Sequence, residues 1–174
     1  MVTIRQEQKN DYRKTEEVVK EAFLKEEFSD KTEHELVKRI RECDAFVPEL
    51  SIVAVDEDIV GHIMLSKITI EQDGTSVESL ALAPVSVARG HQKKGIGGNL
   101  IVAALEKAKE LGYGSVVVLG HPEYYPKFGF KKASEWNVKA PFEVPEEVFM
   151  AMELRENALQ GVEGVVQYSS AFAE

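Results

Sequence analysis

Arg89-Gly90-His91-Gln92-Lys93-Lys94-Gly95-Ile96-Gly97-Gly98-Asn99 decides how the rest of the chain reads. Glycines packed where a strand gives way to a helix let main-chain N–H groups come close to a ligand. The helix start adds partial positive charge, so the segment suits a phosphate or pyrophosphate. Upstream, residues 77–87 read as a strand. Downstream, Leu100, Ile101, Ala104, Leu105, Ala108 and Leu111 recur at helical spacing, and Gly112 stands where a helix C-terminus wants glycine. Val116-Val117-Val118-Leu119 then has the unbroken apolar character of a strand buried on both faces. Strand, helix and buried strand in that order predict a parallel pair joined by a crossover.

Further out, the period of the sequence changes twice. Val2-Thr3-Ile4 reads as a short strand. Asn10 or Asp11 then stands as N-cap of a helix whose apolar face is Tyr12, Thr15, Val18, Val19, Ala22 and Phe23. Thr32-Glu33-His34-Glu35 has the capping-box pattern ahead of Leu36, Val37 and Ile40, and predicts a second helix ending near Cys43. From Ser51 β-rich residues predominate: residues 51–55 and 59–70 form a hairpin about Asp56-Glu57-Asp58, with Gly61 as a candidate bulge. A second turn, Gln72-Asp73-Gly74-Thr75, leads into the strand before the glycine-rich loop, completing a three-stranded antiparallel meander. Residues 122–128 predict a short helix, and further strands follow Gly129-Phe130, one of them over 148–154. The predicted fold class is α/β: a mixed sheet in which the meander joins a parallel pair, flanked by helices.

Composition bounds what such a fold can do. A chain of 174 residues that is 44% hydrophobic buries enough surface for one domain over 1–174, with neither repeats nor linker-like tracts. The single cysteine, Cys43, excludes an intramolecular disulfide and fits a reducing compartment. No His/Asp cluster has metal-ligand spacing, so no metal is expected. With neither a signal-peptide core nor an apolar run near the ~18 residues of a membrane span, the expectation is a cytoplasmic protein without a membrane partner. A net charge of −9 argues against nucleic acid. Yet no Asp or Glu occurs between Glu78 and Glu106, and Arg89, His91, Lys93 and Lys94 lie inside that window. The one acid-free stretch of an acidic chain is therefore locally basic, which suits an anionic ligand.

Three nucleotide-type readings compete for the loop. Gly90 and Gly95 have the glycine spacing of a Walker A loop, but Ile96 and Gly97 stand where Lys and Ser/Thr are required. A dinucleotide fingerprint from Gly95 and Gly97 would need its third glycine at Leu100. Gln92-Lys93-Lys94-Gly95-Ile96-Gly97, by contrast, fits [Arg/Gln]-x-x-Gly-x-[Gly/Ala] after a strand ending Leu82-Ala83-Pro84-Val85-Ser86-Val87. In this the sequence resembles the acetyl-CoA-binding loop of the Gcn5-related N-acetyltransferase (GNAT) superfamily. Tyr125-Pro126-Lys127-Phe128-Gly129-Phe130 resembles the Tyr-x-x-x-Gly-Phe segment of the same family, at the expected distance after the buried strand. The resemblance runs from the first strand to about Phe130, with core motifs at 77–130 and a strand extension over 131–174. The segment from His121 to Phe130 and the long tail resemble a bacterial subgroup whose acceptors are poorly defined.

That resemblance implies an N-acetyltransferase that moves an acetyl group from acetyl-CoA, its co-substrate, to a primary amine by direct attack in a ternary complex. Pantetheine would pair with the backbone of Val85, Ser86 and Val87, with the Val87 N–H facing the thioester carbonyl as an oxyanion donor. The amides of Gln92, Lys93, Lys94, Gly95, Ile96, Gly97 and Gly98 would cradle the pyrophosphate. Tyr125 matches the tyrosine that protonates the departing thiolate, with Tyr124 as fallback. The family glutamate six residues ahead of Val87 is replaced by Ala81. The base is thus left open among Glu78, Ser79, His121, Glu123 and water. A non-catalytic acyl-CoA-binding module of the same fold is the alternative. The acceptor is a small-molecule or peptide amine, and the acidity of the rest of the chain, Glu143 to Glu156 included, favours a cationic one. Oligomeric state is left as monomer or homodimer. His121 and Cys43 read as structural residues first.

Overall fold

A continuous β-branched run at Val116, Val117 and Val118 is the sequence mark of a strand with neighbours on both sides, and β5 (Ser115–Leu119) has them. The computed structural model describes residues 1–24 and 31–173. It divides into two compact units, Met1–Ser66 with Ala83–Lys107, and Lys67–Leu82 with Ala108–Glu174.

In the first unit β1 (Thr3–Gln6) lies antiparallel to β2 (Ser51–Asp56), with Thr3 opposite Val55 and Gln6 opposite Ile52. The hairpin from β2 into β3 (Asp58–Gln72) turns at Glu57, which takes the left-handed conformation at φ 68°. Its register shifts between Ala54, opposite Gly61, and Val55, opposite Ile59. The bulge therefore falls beside Gly61, and Val60 is the extra residue, its carbonyl accepting a hydrogen bond from the Ala88 amide at 2.7 Å. Gly61 has its own reason to be glycine: a Cβ there would lie 3.1 Å from Leu100 and 3.2 Å from the Ser86 carbonyl oxygen. Helix α1 (Tyr12–Phe23) buries Thr15, Val18 and Val19, and Val18 packs with Val53 and Ile59. Helix α2 (Glu33–Arg41) buries Val37 and Ile40.

Two predicted caps work differently from their sequence signatures. The Asp11 carboxylate does not bond forward into α1. It accepts the Gln8 amide at 2.8 Å and both arms of the Arg5 guanidinium at 2.7 and 3.1 Å, which hold its carboxyl below the usual carboxylate range. At α2 the Thr32 side chain makes no capping bond, and its carbonyl receives the amides of Glu35 and Leu36.

The second unit is built on β5. The middle of β4 (Thr75–Val87) runs parallel to it, Leu80 opposite Val116 and Ala81 opposite Val117. β8 (Phe149–Glu153) runs antiparallel along its other edge, from Ser115 opposite Glu153 to Leu119 opposite Phe149. The short β6 (Lys131–Lys132) continues onto β8, while β9 (Gly164–Gln167) pairs with β3 at Thr69–Glu71 and, in parallel, with β7 (Val138–Lys139). Two buried hydroxyls, Ser79 Oγ and Ser115 Oγ, meet at 2.7 Å across the parallel pair. The sheet is mixed, mostly antiparallel, as the predicted fold class requires. Helix α3 (Ile96–Glu110) ends before Gly112 at φ 92°; Leu111, expected on its apolar face, lies past its end and is 40% exposed. Leu119 likewise emerges at the end of β5, 47% exposed.

Candidate active site

The glycine-rich loop belongs to the first unit. After β4 ends at Val87, Arg89–His91 make one 3-10 turn, Lys93 and Gly95 adopt left-handed conformations at φ 65° and 82°, and α3 starts at Ile96. Left-handed backbone is inexpensive for glycine and uncommon for lysine. Two such residues on either side of Lys94 fold the chain back so that the following residues enter the helix directly. The Asn99 amide bonds the Gly95 carbonyl at 3.0 Å as the first turn closes. A 15-residue helix then presents its N-terminal amides beside an exposed loop. Ile96 is 4% exposed and anchors the helix start, while residues 92–95 stay exposed. The Gln92 side-chain amide donates to the Val87 carbonyl at 3.0 Å, tying the loop to the strand end. Arg89, Lys93 and Lys94 pair with no carboxylate among the described residues. His91 does meet one: Asp56, distant in sequence, comes within 3.4 Å of its Nε2.

An anionic, phosphate-bearing ligand fits this chemistry. The loop has free cationic side chains, the helix start supplies amide donors, and a Cβ placed on Gly90 or Gly95 would meet open space. The glycine at 95 therefore serves its conformation, with room above it.

Tyr125 belongs to the second unit, in the 3-10 turn Tyr125–Phe128 that replaces the predicted short helix. Pro126 is its second residue, and Gly129 at φ 110° ends it. The Tyr125 ring is 8% exposed and packs edge-on against Tyr124 and Phe130, with centroids at 5.1 and 5.7 Å. Burial pushes its hydroxyl up to about 12, with the neighbouring Tyr124 adding to the shift. It therefore keeps its proton at any working pH. Tyr124 is half-buried, its hydroxyl also raised by desolvation, with the Lys127 ammonium 4.2 Å from its ring centre.

The base candidates separate. Ser79 is fully buried and committed to Ser115, whereas Glu78, His121 and Glu123 are exposed. Ala81 lies in an apolar cluster with Ile68, Val117, Ala133, Val138, Phe149, Leu159 and Val166. A carboxylate at that position would be buried without a partner, so the alanine suits its surroundings. A groove of about 660 Å³ in the same unit is lined by Val138, Phe142, Val144, Phe149, Glu143 and Glu146 among others, Glu146 already 3.4 Å from Lys132. Among the described residues no three His, Cys, Asp or Glu side chains are grouped to hold a metal ion, and no helix is long and apolar enough to cross a membrane.

Comparison with known proteins decides the family. Residues 3–133 match the model of the acetyltransferase (GNAT) domain. The chain belongs to the GNAT acetyltransferase family. It is 30% identical to the uncharacterized N-acetyltransferase YhbS of Escherichia coli K12, over 87% of this chain and 90% of that one. This agrees with the subgroup resemblance seen in residues 121–130 and the tail. It is 37% identical to Escherichia coli YjhQ over 66% of the chain. The crystal structure of Escherichia coli YhbS in complex with CoA superposes with a TM-score of 0.85 at 27% identity, covering 99% of this chain and 92% of that one. A GNAT family acetyltransferase from Brucella melitensis in complex with acetyl-CoA gives 0.81 at 31% identity, covering 99% and 98%.

Sequence reasoning missed two features. One is the contact between Gly120 and the Tyr125 ring, whose only signal was a glycine between the buried strand and Pro122. The other is the apolar cluster around Ala81, to which Ala133, Val138, Phe149, Ala151, Leu159 and Val166 come from beyond residue 130.

Proposed function

We propose that this protein transfers an acetyl group from acetyl-CoA to a primary amine by direct attack in a ternary complex. The observation that carries the reading is the loop at 92–98. Its left-handed Lys93 and Gly95 lead an exposed, cationic turn into the start of α3. The two similar structures with CoA and acetyl-CoA support the same choice of co-substrate. The amides of Gln92, Lys93, Lys94, Gly95, Ile96, Gly97 and Gly98 hold the pyrophosphate, and Arg89, Lys93 and Lys94 balance its charge. The backbone of Val85, Ser86 and Val87 pairs with pantetheine, and the Val87 N–H is the donor for negative charge developing on the carbonyl oxygen. Tyr125, protonated throughout the working range, donates to the departing thiolate.

An amine with a pKa near ~10 is mostly protonated at neutral pH and must lose a proton before attack. With Ala81 in an apolar cluster and Ser79 paired to Ser115, that proton goes to water or to an exposed side chain. A cationic acceptor is favoured by the net charge of −9. Acetyl-CoA and CoA are expected to raise the melting temperature while ATP and NAD do not, and thiol is expected to appear when a suitable amine is added. Stabilisation by ATP alone would overturn the assignment. The apolar surroundings of Ala81 also favour a second reading, an acyl-CoA-binding module without turnover, which predicts the stabilisation and no thiol release across a broad panel of amines.

A further inference from the structure

We infer that Gly120 is a positioning residue for the reaction, its bare α-carbon forming the surface against which the Tyr125 ring is set, an inference that rests on the donor role proposed for Tyr125. A Cβ at Gly120 would collide with Tyr125 Cε2 and lie 2.9 Å from Cδ2, closer than nonbonded carbon atoms approach. Neither partner has an easy way to yield. Gly120 is the residue after β5, and its amide donates to the Val148 carbonyl at 2.9 Å, which pins the backbone to the start of β8. Tyr125 is held on its other sides by Tyr124 and Phe130, and its turn is hung on the His121 carbonyl, which accepts the amides of Tyr124 at 3.1 Å and Tyr125 at 3.4 Å. A ring with only two free torsions, in a place this close, responds to an added methyl group by swinging its hydroxyl away. Displacements near 1 Å at a reacting group cost on the order of 100-fold in rate.

The test is a kinetic and stability cycle over Gly120→Ala, Tyr125→Phe and the double variant, using acetyl-CoA and an amine found active with the parent enzyme. Gly120→Ala is expected to lower kcat to near the level of Tyr125→Phe, with KM for acetyl-CoA changed less than about two-fold, and to add nothing further in the Tyr125→Phe background. Equal losses in both backgrounds would overturn the inference, since they mean general damage, as would a parent-like kcat. If Tyr125→Phe alone keeps the parent rate, the donor role falls and the positioning role with it. If Tyr125→Phe is slow while Gly120→Ala is not, only the positioning role falls. Should Gly120→Ala fold too poorly to assay, Tyr125→Leu removes the ring. Gly120→Ala should then lower the melting temperature far less in that background than in the parent, and an equal drop would overturn the contact.

Discussion

The hydroxyls of Ser79 and Ser115 meet 2.7 Å apart, both fully buried, where β4 and β5 run parallel. This pairing makes Ser79 a pin between strands and removes it from the candidates for proton acceptance. Ser79→Ala or Ser115→Ala leaves the other hydroxyl buried and unpaired and should cost about 1–3 kcal/mol. Removing both should cost less than the sum. Urea denaturation of the two single variants and the double variant checks this.

Ala81 leads to a second expectation. Restoring the family carboxylate as Ala81→Glu places a charge among Val117, Val138, Phe149 and Leu159. The variant should lose several kcal/mol of stability. It should gain no rate with an amine that the parent accepts. Thermal denaturation and the thiol-release rate read the two outcomes together.

A third prediction concerns α2 and the sheet edge. Arg41, 5% exposed, donates to Glu7 at 2.7 Å and to Glu16 at 2.6 Å, and its guanidinium lies 3.8 Å from the centre of the Tyr12 ring. Glu7 Oε1 also accepts the Ser51 hydroxyl at 2.6 Å. Arg41→Met leaves the Glu7 carboxylate, 0% exposed, without its cation. The expected loss is about 3–5 kcal/mol, read from denaturant midpoints.

The same network sets a pH limit. His62 is wholly buried, its Nε2 2.9 Å from Ser51 Oγ, and desolvation lowers it to about 4, against an attraction from Glu7. Between about pH 6.5 and 4 the unfolded chain takes up a proton that the folded chain refuses. Stability should therefore fall as the pH drops through that window, by about 3 kcal/mol, and this contribution should level off below it. His62→Gln should flatten that part of a stability-against-pH curve. Asp11, held low by Arg5, loses its own contribution only on further acidification.

What the sequence disclosed depended on how local each feature was. The loop at 89–99 was legible because glycine spacing, flanking periodicity and charge all lie within a dozen consecutive residues. β5 was legible because a strand with two neighbours needs no polar face. Asp11 and Thr32 stand at the N-cap positions their signatures indicate, but the signatures do not fix where the side chains bond, and Asp11 turns instead to Arg5 and the Gln8 amide. The surroundings of Ala81 and the bed of Tyr125 were illegible. The surroundings of Ala81 come largely from the chain after Phe130, where short strands and 3-10 turns leave little periodicity to follow, and Gly120, against which Tyr125 is set, is held by its bond to Val148. The approach of Asp56 to His91 likewise crosses from the β2 turn to the loop and qualifies the acid-free window.

Tyr125 gives a prediction with a pH signature. Because its hydroxyl stays protonated up to about 12, the rate should climb with pH as the amine loses its proton and show no fall from Tyr125 in the ordinary range. Tyr125→Phe should lower kcat by roughly 100-fold at every pH, leaving the shape of the profile unchanged. Rate profiles of both proteins with one amine provide the check.

The most direct measurement is intact-mass spectrometry of the protein mixed with acetyl-CoA, first without and then with an accepted amine. Direct attack predicts an unmodified chain in both mixtures, and acetylated amine in equal amount to released CoA in the second. An acetylated chain that forms without amine and is emptied by adding it would contradict the account.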